Sequence, residues 1–126
     1  MLPEDNTMKT KIILLFFSLF LFSCTKDFFV GKWEQTAQSV NGDMEKIYFR
    51  NILEINEDGT WKAYLLDKNN KIFENIKYGE WERKDQKTIW LGEKTYYKIS
   101  DFKENEILNT MKIEGVIFID YYQKIE

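Results

Sequence analysis

The sequence predicts an all-β domain, an antiparallel up-and-down meander of about eight strands closed into a small barrel. Three observations carry that prediction. Aromatic residues make up 17 % of the 126-residue chain, and every Trp and Tyr stands downstream of residue 24. Such side chains, with Ile and Thr, suit the pleated, half-buried surface of a strand. Apolar runs of period two recur about every 8–12 residues, the spacing of barrels and sandwiches. Turn signals separate them, foremost Asp58-Gly59, which supports the positive φ of a tight hairpin.

The first 23 residues stand apart from this pattern. Met8-Lys9-Thr10-Lys11 supplies a positively charged start, and Ile12 to Phe22 is an apolar run interrupted only by Ser18. Small Ser23 then precedes the chain's one cysteine, Cys24, as a cleavage site requires. About 11 apolar residues at about 1.5 Å each cover about 16 Å, against about 30 Å of bilayer core. This is the grammar of a signal peptide over residues 1–23. Met1 to Thr7 is acidic and polar, which suits a segment upstream of a true start at Met8. An ordinary secretory peptide cut elsewhere, an uncleaved anchor and a buried core cysteine are the competing readings. Residues 24–27 then form a short tether, and residues 28–126 form the single folded domain.

Composition narrows the function classes. The net charge is -3 with the signs interspersed, so neither a nucleic-acid patch nor a polybasic lipid-binding stretch is expected. With Cys24 the sole cysteine, no disulfide can form within the chain, and the fold rests on its apolar core. Histidine is absent, which removes the commonest general base near neutral pH and the commonest transition-metal ligand.

In chain order, Phe28-Phe29-Val30 begins the domain and Gly31 to Val40 is the first strand, ended by Asn41-Gly42-Asp43. A helix could lie at Val40 to Lys46, though nothing demands one. Ile47 to Asn56 places Ile47, Phe49, Leu53 and Ile55 on one face and Tyr48, Arg50, Ile52 and Glu54 on the other. After Glu57-Asp58-Gly59, Thr60 to Asp67 puts Trp61, Ala63 and Leu65 on the inner face, and Lys68-Asn69-Asn70-Lys71 closes the hairpin. Ile72, Ile76 and Tyr78 then share a face that Trp81 does not, so a bulge is expected near Gly79. Lys84 to Lys87 turns the chain into Thr88 to Leu91, and Gly92-Glu93-Lys94 turns it into Thr95 to Ser100. Asp101 to Asn105 leads to a strand at Glu106 to Ile113, and Glu114-Gly115 to a last one at Val116 to Ile125. That last run is apolar on both faces, so periodicity does not orient it.

Two resemblances follow from these residues. Leu21-Phe22-Ser23-Cys24 resembles the lipobox of bacterial lipoproteins. That resemblance implies a diacylglyceryl group on Cys24, with palmitate among its acyl chains, and cleavage before it. Gly31-Lys32-Trp33-Glu34, Asp58-Gly59-Thr60-Trp61, Gly79-Glu80-Trp81-Glu82 and Tyr121-Tyr122-Gln123-Lys124-Ile125 lie in the order seen in the small lipocalin-like domains of such lipoproteins. The resemblance implies a lipocalin-like barrel in which Gly31 lets the chain in tightly and Trp33 plugs the closed end. It also implies a cation over Trp33, a contact worth about 0.5–2 kcal/mol. Lipocalins use arginine there; Lys124 is the candidate in this chain. The implied setting is the bacterial cell envelope, with the membrane as partner through Cys24, no enzymatic activity and no cofactor.

An eight-stranded barrel can hold side chains or one small ligand. Phe49, Trp61, Leu65 and Tyr97 are the candidates to line an apolar pocket for a small hydrophobic ligand; the same rings could equally be core filling. Gln35 is the candidate inward polar group. Of Tyr96-Tyr97 and Tyr121-Tyr122, one ring of each pair is expected outside, where it could meet an envelope protein. Glu34, Glu80 and Glu82 flank Trp residues and are expected in solvent, without the desolvation that a general acid needs. Asn56-Glu57-Asp58-Gly59 lacks the spacing of a calcium loop and reads as a turn, so no metal site is expected.

Overall fold

The computed structural model describes residues 27–73, 76–92 and 95–126. The expected signal segment, Cys24, the tether up to residue 26, and Glu93-Lys94 of one expected turn lie outside the described residues.

The described chain is all-β. Its strands are β1 (Gly31–Val40), β2 (Asp43–Glu45), β3 (Arg50–Ile55), β4 (Thr60–Leu66), β5 (Lys77–Glu80), β6 (Glu82–Asp85), β7 (Thr88–Trp90), β8 (Tyr96–Ile99), β9 (Glu106–Ile113) and β10 (Val116–Lys124). They form one antiparallel sheet in the order β5-β4-β3-β1-β10-β9-β8-β7-β6, with β2 added on β1. The path is an up-and-down meander sealed by its first and last strands, Trp33 facing Lys124 and Val40 facing Phe118 in the register. It is nearly closed into a barrel. The two strands at the ends of the path, β5 and β6, are consecutive in sequence with only Trp81 between them. Taken as one broken strand, they give the wall the eight staves that the sequence predicts.

Three details differ from the sequence reading. The stretch Val40 to Lys46 holds a hairpin turn and the short strand β2, not a helix. Asn41 and Gly42 both take positive φ (50° and 90°), the tight hairpin turn that folds Asp43–Glu45 back onto β1. That hairpin delays β3, which starts at Arg50 rather than Ile47. The irregularity expected near Gly79 is a break in the strand at Trp81. Gly79 is the cross-strand partner of Trp61, and a Cβ there would stand 2.9 Å from Trp61 Nε1, so its role is to let that indole lie flat on the wall. A bulge that periodicity does not reveal sits in β1, where the pairing to β10 shifts between Gln35 and Ala37. It brings Gln35 and Gln38 to one carboxylate.

The core is a cluster of Phe29, Trp33, Leu53, Ile55, Ile89, Leu91, Tyr97, Ile107 and Tyr122, with Phe28, Trp61, Ala63, Trp81 and Ile99 packed against it. It fills the barrel end where the chain enters. Lys32 N–H donates to Glu126 O (2.8 Å) and Lys124 N–H to Asn105 O (2.9 Å), so the start of β1, the end of β10 and the 100–105 loop share this closed end. The turns at Asn41-Gly42, 67–71 and Glu114-Gly115 lie at the opposite, open end.

Candidate functional site

The closed end is built around Trp33. Its indole N–H donates to Phe29 O (2.9 Å), and the ring is fully buried. Lys124 Nζ stands 4.9 Å from the Trp33 ring centroid and 5.0 Å from that of Phe28, and it donates to Phe28 O. The cation expected over Trp33 is therefore present. Arg83 pairs with Asp27 and lies 5.5 Å over Phe29, so a second cation tethers the incoming chain to the plug. Gly31 has φ +146°, and a Cβ there would meet Glu126 O at 2.5 Å. Only glycine admits both the conformation and the approach of the terminal backbone.

Above the apolar floor the interior turns polar. Asn51 Nδ2 donates to Gln35 Oε1 (3.0 Å) and Tyr122 Oη (3.3 Å). Gln35 Nε2 and Gln38 Nε2 both donate to Asp120 Oδ1, at 3.0 and 2.6 Å. The Tyr97 and Tyr122 rings meet edge-on at 5.4 Å. Burial raises the Asp120 carboxyl above its usual value, against the two amide donors that hold its charge. Burial likewise pushes Tyr97 up to about 12 and raises Tyr122 well above the ordinary tyrosine value. Gln35, the inward polar group expected from sequence, is thus one member of a chain; Asn51, Gln38 and Asp120 were not foreseen. The alternation around Leu53 already put Asn51 on the inner face, but Gln38 reaches that face only through the β1 bulge.

The structure separates the four residues expected to line one pocket. Tyr97 is buried in the core and Trp61 packs against it, donating its indole N–H to Glu80 O (3.2 Å). Leu65 is half-buried opposite Asn51. Phe49 is not inside the barrel: it precedes β3, is 56 % exposed, and stacks on Phe73 at 5.3 Å between centroids. The early hairpin leaves Phe49 beyond the last register pair of β3 and β4, Arg50 with Leu66. There it joins Tyr48, Leu66 and Phe73 around a cleft of about 490 Å³, edged by Arg50, Asp67 and Lys68. Arg50 pairs with Glu34 and donates to Asn70 Oδ1 (2.6 Å). Asp67 Oδ1 is occupied by the amides of Asn69 and Lys71.

The remaining polar motifs have structural roles. Asp58 Oδ1 accepts from Thr60 N (3.0 Å) and Thr60 Oγ1 (2.6 Å), which holds its carboxyl below the usual value and closes the turn read from the sequence. Tyr96 lies on the outer wall, stacked on Trp90 at 6.0 Å. Among the described residues, no group of three or more His, Cys, Asp or Glu side chains is placed to hold a metal ion. Compared with known proteins, the chain matches no family model, no curated protein and no solved structure.

Proposed function

We propose that the protein is a lipid-anchored envelope lipoprotein, acylated on Cys24, whose lipocalin-like barrel binds a small apolar or amphipathic molecule without converting it. The observation that carries this reading is the open-end cleft of about 490 Å³, with Phe49 and Phe73 stacked yet about half exposed. The volume falls within the range of small-molecule sites, about 300–1,000 Å³. An apolar ligand laid on these rings removes their remaining surface from water, worth about 25 cal/mol per Å². The cleft edge carries Lys68, Asp67 and an Arg50 already paired with Glu34, charged groups that suit the polar head of an amphipathic ligand. The ligand site therefore moves from the barrel interior, where Trp61 and Tyr97 serve packing, to the rim around Phe49. Native mass spectrometry of the full chain from its own host should reveal a retained small molecule. Phe49→Asp and Phe73→Asp should abolish retention with the fold intact by circular dichroism. Retention unchanged in both variants, or no retained mass in the unaltered protein, would sink this assignment.

A second reading, a filled barrel acting as an interaction module for an envelope protein, is favoured by the packed interior and by Tyr78, which is 79 % exposed on the outer wall. A single protein crosslinked reproducibly through Tyr78 in the envelope would favour it over the first.

A further inference from the structure

The closed end carries an apolar side chain that the fold does not use. Phe102, in the loop between β8 and β9, is 80 % exposed. The loop is held in place: Phe102 N–H donates to Ser100 Oγ (3.0 Å), and Ser100 Oγ donates in turn to Glu106 Oε1 (2.7 Å). Ser100 N–H also donates to Glu106 O (2.9 Å). Both Ser100 and Glu106 are buried. The ring is thus displayed by a pinned backbone. A groove of about 430 Å³ runs along this loop to Phe28.

Phe28 also marks where the rest of the chain leaves the barrel. Asp27, beside it, accepts from Phe29 N–H (3.0 Å) and pairs with Arg83, which fixes the exit point at the closed end. Cys24 stands three residues before Asp27, and three residues reach at most about 10 Å. We propose that Phe102, with the Phe28 edge of the groove, seats this end of the barrel in the interfacial layer of the membrane that holds the acyl chains of Cys24. This inference rests on the lipid-anchor reading above. An acyl group so close to Asp27 keeps the closed end within about 10 Å of the lipid surface. The neighbours of Phe102 (Asp101, Lys103 and Glu104) sum to one negative charge. The contact is therefore apolar insertion of the kind amphipathic surfaces use, not attraction to anionic headgroups. Its strength should be insensitive to salt.

The test uses the absence of other thiols. The full chain carrying Lys103→Cys is expressed in a lipoprotein-processing host and reacted with an environment-sensitive thiol fluorophore. An intact mass showing the diacylglyceryl group together with one label per chain is expected when Cys24 is acylated, and two labels, or a mass without the lipid, when it is not. In vesicles of phosphatidylethanolamine and phosphatidylglycerol containing spin-labelled lipid, the probe at 103 should shift to the blue and be quenched, equally at low and high salt. A probe at Lys112→Cys, on the far part of the β9–β10 hairpin, should be neither. Adding Phe102→Asp to the Lys103→Cys chain should remove the quenching while one label per chain is kept. One label with an unquenched 103 probe, or quenching that survives Phe102→Asp, overturns the seating and leaves the anchor standing. Two labels, or an intact mass without the lipid, overturn the anchor and the seating with it.

Discussion

Asp120 holds a carboxyl where burial opposes its charge, and this makes the stability of the barrel depend on pH in a definite direction. Its native value lies above the unfolded one of 3.8. The native state therefore binds the proton more tightly, and Asp120 contributes stability that is fully present below pH 3.8 and lost as pH rises through the native value. Asp120→Asn keeps an oxygen for Gln35 and Gln38 but cannot ionise. Urea unfolding at a series of weakly acidic pH values should show a downward slope in the unaltered protein and a flatter one in the variant. At the closed end, Lys124→Met leaves Trp33 plugged but uncapped and should cost about 1 kcal/mol in the same assay, within the usual range for a cation over an indole. Gly31→Ala asks for a φ of +146° and for space already taken by Glu126 O. It should lower stability by about 1–3 kcal/mol, the scale of a strained backbone position.

At the scale of elements, Trp81 is where the wall is weakest. Among the described residues, β5 is paired only with β4 and β6 only with β7. The gap between them is spanned by Trp81, whose N–H donates to Gly59 O and whose indole donates to Asn56 O, both at 2.8 Å. Amide hydrogen exchange should therefore be fastest in β5 and β6 and slowest where β1 meets β10. Trp81→Ala should widen that contrast and cost about 2 kcal/mol, less than the ~3–5 kcal/mol of a fully buried Trp because this ring is only half covered. The sequence makes most of the strands legible because alternation and turn residues are local: Asp58-Gly59, Glu114-Gly115 and the bounds of β1 are all readable from neighbours. It does not reveal which strand a run of residues pairs with. Residues 43–45 read as part of a turn or of a short helix because three residues are too few to show a period. The β1 bulge changes which side chains point inward without leaving any mark in hydrophobicity. Phe49 is the consequence: its parity is that of Leu53, yet the strand ends before reaching it. The partner it acquires, Phe73, is 24 positions away on a segment whose alternation is poor.

At the scale of the whole molecule, the barrel has two unlike ends and an interior graded from hydrocarbon to hydrogen-bonded polar groups. The two interior tyrosines report on its integrity. Burial pushes Tyr97 up to about 12 and raises Tyr122 well above the unfolded value of 10. They contribute stability that is present below pH 10 and lost as pH rises through their native values. Tyrosinate absorbance should thus include a late stage to which Tyr97, Tyr122 and Tyr64, which burial also pushes up to about 12, contribute. Tyr97→Phe should shrink that stage. The hydrogen bond from Lys32 to Glu126 has a further, practical meaning. It brings the last residue beside the first strand, so anything fused after Glu126 departs from the same pole as the segment that precedes Asp27. A reporter attached there would be wedged into whatever that pole rests on. One spliced into the Glu114-Gly115 turn would stand clear at the other pole, leaving both chain ends unencumbered.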